Sequence, residues 1–159
     1  MDVKKRILAG ALSGVGGTLA LTGFRKGLNQ LGLIHRTAPQ QVVDRLGRLG
    51  LLEGWGRGAR RALMIAAHYG YGTATGSAFG LLRHEGGGLA TEAAVGATLG
   101  VLSWGIGWTT WLPIVEVQDA PWNWKSPKVL LPVLDHAVFG AFWGITYWAL
   151  KRSAKEGWV

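Results

Sequence analysis

The sequence predicts an all-α polytopic membrane protein: a bundle of four transmembrane helices with an interfacial amphipathic helix in the first loop. Three observations carry this. Four runs of about twenty residues are free or nearly free of charge and are bracketed by charged residues, and such a run crosses a hydrocarbon core of roughly 30 Å. Each run carries glycines at four-residue steps behind a polar residue, which puts them on one helix face as a smooth stripe for close packing in lipid. Tryptophan gathers toward the run ends, where an apolar ring with a polar N–H favours the headgroup level. The chain reads as a single membrane domain, residues 1–159.

The first predicted span, residues 7–24, lies between Arg6 and Arg25 and carries Gly10 and Gly14. Lys4, Lys5 and Arg6 resemble the start of a signal peptide, but the apolar stretch is long for one and no Ala-x-Ala cleavage site closes its far end before Arg25. The first loop holds a predicted helix over residues 39–53. Val42, Val43, Leu46, Leu49 and Leu52 share one side of it, and Arg45 and Arg48 lie toward the other. Thr37 is its expected N-cap and Pro39 falls in its first turn, while Gly47 and Gly50 weaken it. Arg45, Arg48, Arg60 and Arg61 are expected among lipid headgroups; docking on a partner is the alternative.

The second span, residues 62–82, carries His68, Gly72, Gly76 and Gly80. The glycines from Gly86 to Gly88 form a reversal and lack the Lys-Ser/Thr of a nucleotide loop. The third span, residues 93–115, follows Glu92 with Gly96 and Gly100 and ends in a stripe of Trp104, Trp108 and Trp111. The fourth, residues 129–150, is interrupted only by Asp135 and His136, carries Gly140, Gly144, Trp143 and Trp148, and is closed by Lys151 and Arg152, with Trp158 in the tail. The second and fourth spans match at one constant offset that aligns His68 with His136, so the chain reads as duplicated or as a chance alignment of small-residue stripes.

The net charge of +8 sits mainly at span ends and in the first loop, which points to anionic lipid rather than nucleic acid. The chain has no cysteine, which excludes disulfides, thiolate chemistry and cysteine-ligated metals. Four spans put both termini on one side. Their basic tails favour the cytoplasm, although the basic first loop then lies outside.

A span that starts Gly87-Gly-Leu-Ala-Thr-Glu92 and ends Trp111-Leu-Pro113, a loop with Ala120-Pro-Trp122, and a last span from Leu134-Asp-His136 to Lys151-Arg152 together resemble the YagU-like small bacterial inner-membrane proteins, a group without an established function. The resemblance covers roughly the second half of the chain. It implies a multi-pass protein of the bacterial inner membrane and transfers no catalytic residue.

His68, His136, Glu92 and Asp135 are the candidate polar groups within the membrane. Three readings are open for them. They tie helices together, they form a proton or small-ion path in an oligomer, or the two histidines ligate a haem b. The sequence shows no Ser/His/Asp set, no metal-spaced motif and no phosphate loop, so an enzyme is not expected, and neither is a metal or a cofactor other than that haem. The expected role is a structural, accessory or self-associating component of a bacterial membrane assembly, with lipids and other membrane subunits, or itself, as partners and no nucleic acid.

Overall fold

A computed structural model describes residues 1–33, 37–83, 87–124 and 130–155. The described chain is helical throughout and contains no strand. Gly86, Val129 and Trp158, which fall in the loop, the span start and the tail read above, lie outside the described residues.

Helix α1 runs Val3–Gln30. Asp2 caps its start by accepting the Lys5 N–H at 2.9 Å. Gly32, at φ +71°, closes its end: Gly32 donates to Asn29 O and Leu33 to Leu28 O, the glycine-dependent stop. Helix α2 runs Ala38–Arg48, shorter than the predicted 39–53. Thr37 is its N-cap, and its N–H takes the Gln40 side chain at 2.9 Å. Gly50, at φ +76°, ends it by the same device, so Leu51 and Leu52 lie in a turn. Helix α3 spans Arg57–Leu82, α4 Leu89–Thr109, α5 Trp111–Ile114 and α6 Leu130–Lys155. The break between α4 and α5 falls at Thr110, whose hydroxyl bonds back to Ile106 O.

The long helices pair through their glycines. Antiparallel α1 and α3 touch along Gly10, Gly14, Gly72, Gly76 and Gly80. Antiparallel α4 and α6 touch along Gly96, Gly100, Gly140 and Gly144. A Cβ at any of these nine would run into backbone or side-chain atoms of the facing helix, so only glycine permits the approach. α1 also packs on α6, where Gly16 faces Thr146 and Gly17 faces Phe139 and Trp143. Helices α1 and α6 are therefore central, with α3 and α4 outside them.

The contacts put the two pairs in one register. A Cβ at Gly10 meets Gly76 O and one at Gly14 meets Gly72 O; at Gly96 it meets Gly140 O and at Gly100 His136 O. Packing thus equates Gly72 with His136, one turn from the alignment that equates His68 with His136. The histidines do not sit at one depth. His136 lies a turn further into the bundle, where it is buried, and His68 is half-buried.

Polarity is reversed relative to a soluble bundle. Buried positions include Arg6, Ser13, Thr18, Glu92, Asp135 and His136. Exposed ones include Leu8, Leu12 and Leu19 of α1, Ile65 and Leu81 of α3, Leu102 and Ile106 of α4, and Leu134 and Phe142 of α6. Two helical runs, Val3–Gln30 and Leu89–Ile114, are long and apolar enough to cross a membrane. α3 and α6 have 26 residues each. Their glycines, hydroxyls, histidine and tyrosines lower the hydropathy of α3, and Asp135, His136, Lys151 and Arg152 that of α6.

Candidate functional site

The candidate polar residues do not form one site. His68, Asp135 and His136 gather at the end of the bundle beneath α2, and Glu92 lies at the opposite end. Helix order requires this, because α1 and α4 start on one side and α3 and α6 on the other. The shared site predicted for all four residues is corrected accordingly.

At the α2 end, Asp135 Oδ2 accepts from Arg25 Nε at 2.7 Å, a buried ion pair between α6 and α1. His136 Nδ1 lies 2.8 Å from Pro132 O. A carbonyl only accepts, so Nδ1 carries the proton and the Nε2 lone pair of the neutral ring is left as an acceptor. Asp135 Oδ1 is also 2.5 Å from Nδ1, an electrostatic contact without hydrogen-bond geometry. His68 Nε2 stands 3.3 Å from Thr22 Oγ1. Thr22 spends its own proton on Thr18 O at 2.7 Å, so His68 donates from Nε2 and keeps Nδ1 as the acceptor. His68 thus ties α3 to α1. His136 bonds within its own helix, and the tie between α1 and α6 falls to Arg25, a residue the sequence marked only as a span end.

At the other end, Glu92 is 1% exposed and fully engaged. Arg83 grips it with two bonds, 3.1 Å from Nε and 2.9 Å from Nη2, and the Gly87 N–H donates at 2.7 Å. The bond to Glu92 pushes the Arg83 guanidinium above its ordinary value, so it stays charged. Tyr147 donates to Arg83 O at 3.3 Å. Arg6 is buried here, its Nε without a partner among the described residues.

Between the ends the interior is aromatic. Trp104, Trp108, His136, Phe139, Trp143, Phe79 and Tyr147 follow one another with ring centroids 4.9 to 6.3 Å apart. Trp143 is part of this core, not an interface anchor. Ser13 and Thr18 turn their hydroxyls onto Ala9 O and Gly14 O of their own helix. The hydrogen bonds of the described residues do not join the two ends.

Two of the four arginines expected among headgroups are occupied by protein. Arg45 donates to Val115 O at 3.0 Å and pairs with Glu116 at 2.6 Å. Arg60 donates to Leu52 O and Trp55 O. Arg48 and Arg61 alone of the four are exposed, as headgroup contact requires. Helix α2 is thereby clipped to α3 and to the turn after α5. Ala38 and Val42 pack on the cluster of Trp108, Leu112 and Val117.

Beneath α2 lies a cavity of about 210 Å³, walled by His68, His136, Arg25, Trp108, Phe139 and Tyr71 among others. His68 and His136 both stand on its wall, but one turn apart in depth, so the matched depth on which the haem reading rested is not found. Three or more His, Cys, Asp or Glu residues placed to hold a metal do not occur among the described residues.

Comparison with known protein families, with curated proteins and with solved structures finds no match for this chain. The YagU-like resemblance therefore rests on its quoted residues alone.

Proposed function

We propose that this chain is a four-span integral protein of a bacterial inner membrane, YagU-like in character. In this reading it is a non-enzymatic, self-associating or accessory component of a membrane assembly, with its termini in the cytoplasm. The observation that carries the reading is the reversal of polarity on all four long helices. Large apolar side chains face outward, and the buried charged groups gather in two layers, one toward each end of the bundle. Arg6 and Arg25 mark those layers on α1 and stand about 28 Å apart at ~1.5 Å per residue. That separation matches a hydrocarbon core of roughly 30 Å. Each layer neutralises its acid with an arginine, as a group near the membrane boundary requires.

Self-association is supported by the outward face of α3. Ala66, Gly70, Ala74 and Ala78 recur at four-residue steps there and are exposed, and a Cβ at Gly70 meets nothing within 4 Å. Such a face suits a second helix in lipid. The test uses the absence of native cysteine. Ala74→Cys in membranes, treated with a mild oxidant, should give a disulfide dimer, and Ser153→Cys should give far less. Release of the protein by alkaline carbonate would remove the membrane reading. A monomeric Ala74→Cys would remove self-association and leave the accessory role.

A further inference from the structure

The cavity beneath α2 exists because of how the helices pair. The glycine contacts draw α1 to α3 and α4 to α6, but α3 and α4 do not pack on each other. At the Glu92 end, Phe79, Trp143 and Tyr147 fill the interior. At the other end, small residues stand on the wall, namely Thr18, Ala67 and Gly107, and space remains. Helix α2 roofs it through Ala38, Pro39 and Val42. The wall residues Ala67, Tyr71 and Trp111 are also exposed, and they mark where the cavity opens sideways beside α3 and α5.

We propose that this cavity binds the ring of a membrane-dissolved quinone or quinol, with the ring's tail leaving between Tyr71 and Trp111 into lipid. Three properties select that class. The first is size: an apolar cavity of about 150 Å³ holds benzene, and this one, at about 210 Å³, admits one ring with small substituents but not a whole lipid. The second is the wall, in which Tyr71, Trp108, Trp111 and Phe139 present aromatic surface for a flat ring. The third is polarity. Trp108 is buried, stands on the wall, and its indole N–H has no hydrogen-bond partner among the described residues. A quinone carbonyl supplies the missing acceptor. His136 Nε2 and His68 Nδ1 are the acceptors for a quinol hydroxyl. An unbranched acyl chain would leave the indole N–H unsatisfied. Binding is all that is proposed; no electron moves in it.

The sideways access rests on the membrane reading, but the binding does not, so the test is made on the full chain purified in detergent. The probe is 2,3-dimethoxy-5-methyl-1,4-benzoquinone, titrated by calorimetry, with decanol as competitor. Saturable binding of one probe per chain is expected, undisturbed by decanol. Trp108→Phe keeps the ring and removes the N–H, and should weaken binding about fivefold, the effect of one neutral hydrogen bond. Gly107→Leu should weaken it more than tenfold. A Cβ there meets the Trp111 and Leu112 side chains at ordinary contact distances, 3.5 and 3.7 Å, so the helix backbone admits a side chain at this position. If Gly107→Leu loses helicity, Ala67→Phe at the exposed mouth serves the same purpose. Non-saturable uptake, displacement by decanol, or unchanged affinity in Gly107→Leu and Ala67→Phe would overturn the proposal. A cavity that takes a lipid acyl chain instead would appear as displacement by decanol. Saturable binding by a chain that carbonate strips from membranes would overturn the membrane reading and leave the site standing.

Discussion

The two ends of the bundle are built on the same glycine contacts and finish differently. At the Glu92 end, one carboxylate receives three hydrogen bonds, and Phe79, Trp143 and Tyr147 fill the space beside it. At the α2 end, Asp135 receives one hydrogen bond from Arg25, and a cavity remains beside it. The difference shows that the glycines set only how close the helices come. Whether the interior closes depends on side-chain volume one turn further along, large at Phe79 and Tyr147, small at Ala67 and Gly107. Stability is therefore expected to concentrate at the filled end and the proposed binding at the open one.

Changes that part the helices should have the largest effect and should not distinguish the ends. Gly76→Leu and Gly140→Leu each put a side chain into the backbone oxygen of the facing helix, Gly10 O or Gly96 O. Overpacking against backbone, which cannot give way, should cost at least about 3 kcal/mol. A fall in Tm of more than ten degrees, or loss of folded protein, is expected in detergent. Gly70→Leu, on the open outward face, should leave Tm within a few degrees. Equal tolerance at Gly76 and Gly70 would break the comparison at its base.

The carboxylates come next, and here the ends should separate. Glu92→Gln leaves the Arg83 charge uncompensated beside a buried amide and should cost about 3 kcal/mol. Asp135→Asn also leaves an arginine, Arg25, uncompensated, but gives up one hydrogen bond where Glu92 gives up three, and should cost less, about 2 kcal/mol. Their Tm values, measured in the same detergent, should fall in that order. The smallest effect is expected at the wall of the cavity. Ala67→Leu adds volume where space exists, so Tm should hold or rise slightly. The same Tm loss as in Glu92→Gln would mean that the open end is already filled.

Much of this arrangement was legible in the sequence. The nine glycines declare their helix face by spacing alone, since four residues make about one turn. Thr37, Pro39 and Gly50 bound α2 by local chemistry, and reading Gly50 as a stop rather than as a weak point would have ended it correctly. The pairings across the bundle were not legible. Asp135 finds Arg25 and Glu92 finds Arg83 only after the helices pack, and nothing local to either acid announces its partner. Trp143 looked like its neighbours near a span end, but its turn of helix faces Gly17, a close approach no periodicity reveals. The one-turn error in the repeat had a physical source as well. The sequence aligns residue types, whereas packing aligns backbone contacts, and His136 takes the place that Gly72 holds in the other pair.

The central claim is that all four long helices cross the bilayer with the two charged layers at its boundaries. Labelling of single cysteines in intact cells, by a maleimide that does not cross membranes, tests it directly, since the chain has no cysteine of its own. Asp2→Cys, Arg48→Cys, Gly88→Cys, Trp122→Cys and Ser153→Cys sample every inter-helix segment and both ends. Four spans predict that Arg48→Cys and Trp122→Cys label from outside, and that Asp2→Cys, Gly88→Cys and Ser153→Cys label only after the cells are opened. If α1 and the Leu89–Ile114 run cross alone, Arg48→Cys and Gly88→Cys will label together and Trp122→Cys will fall on the other side, a pattern that contradicts the account.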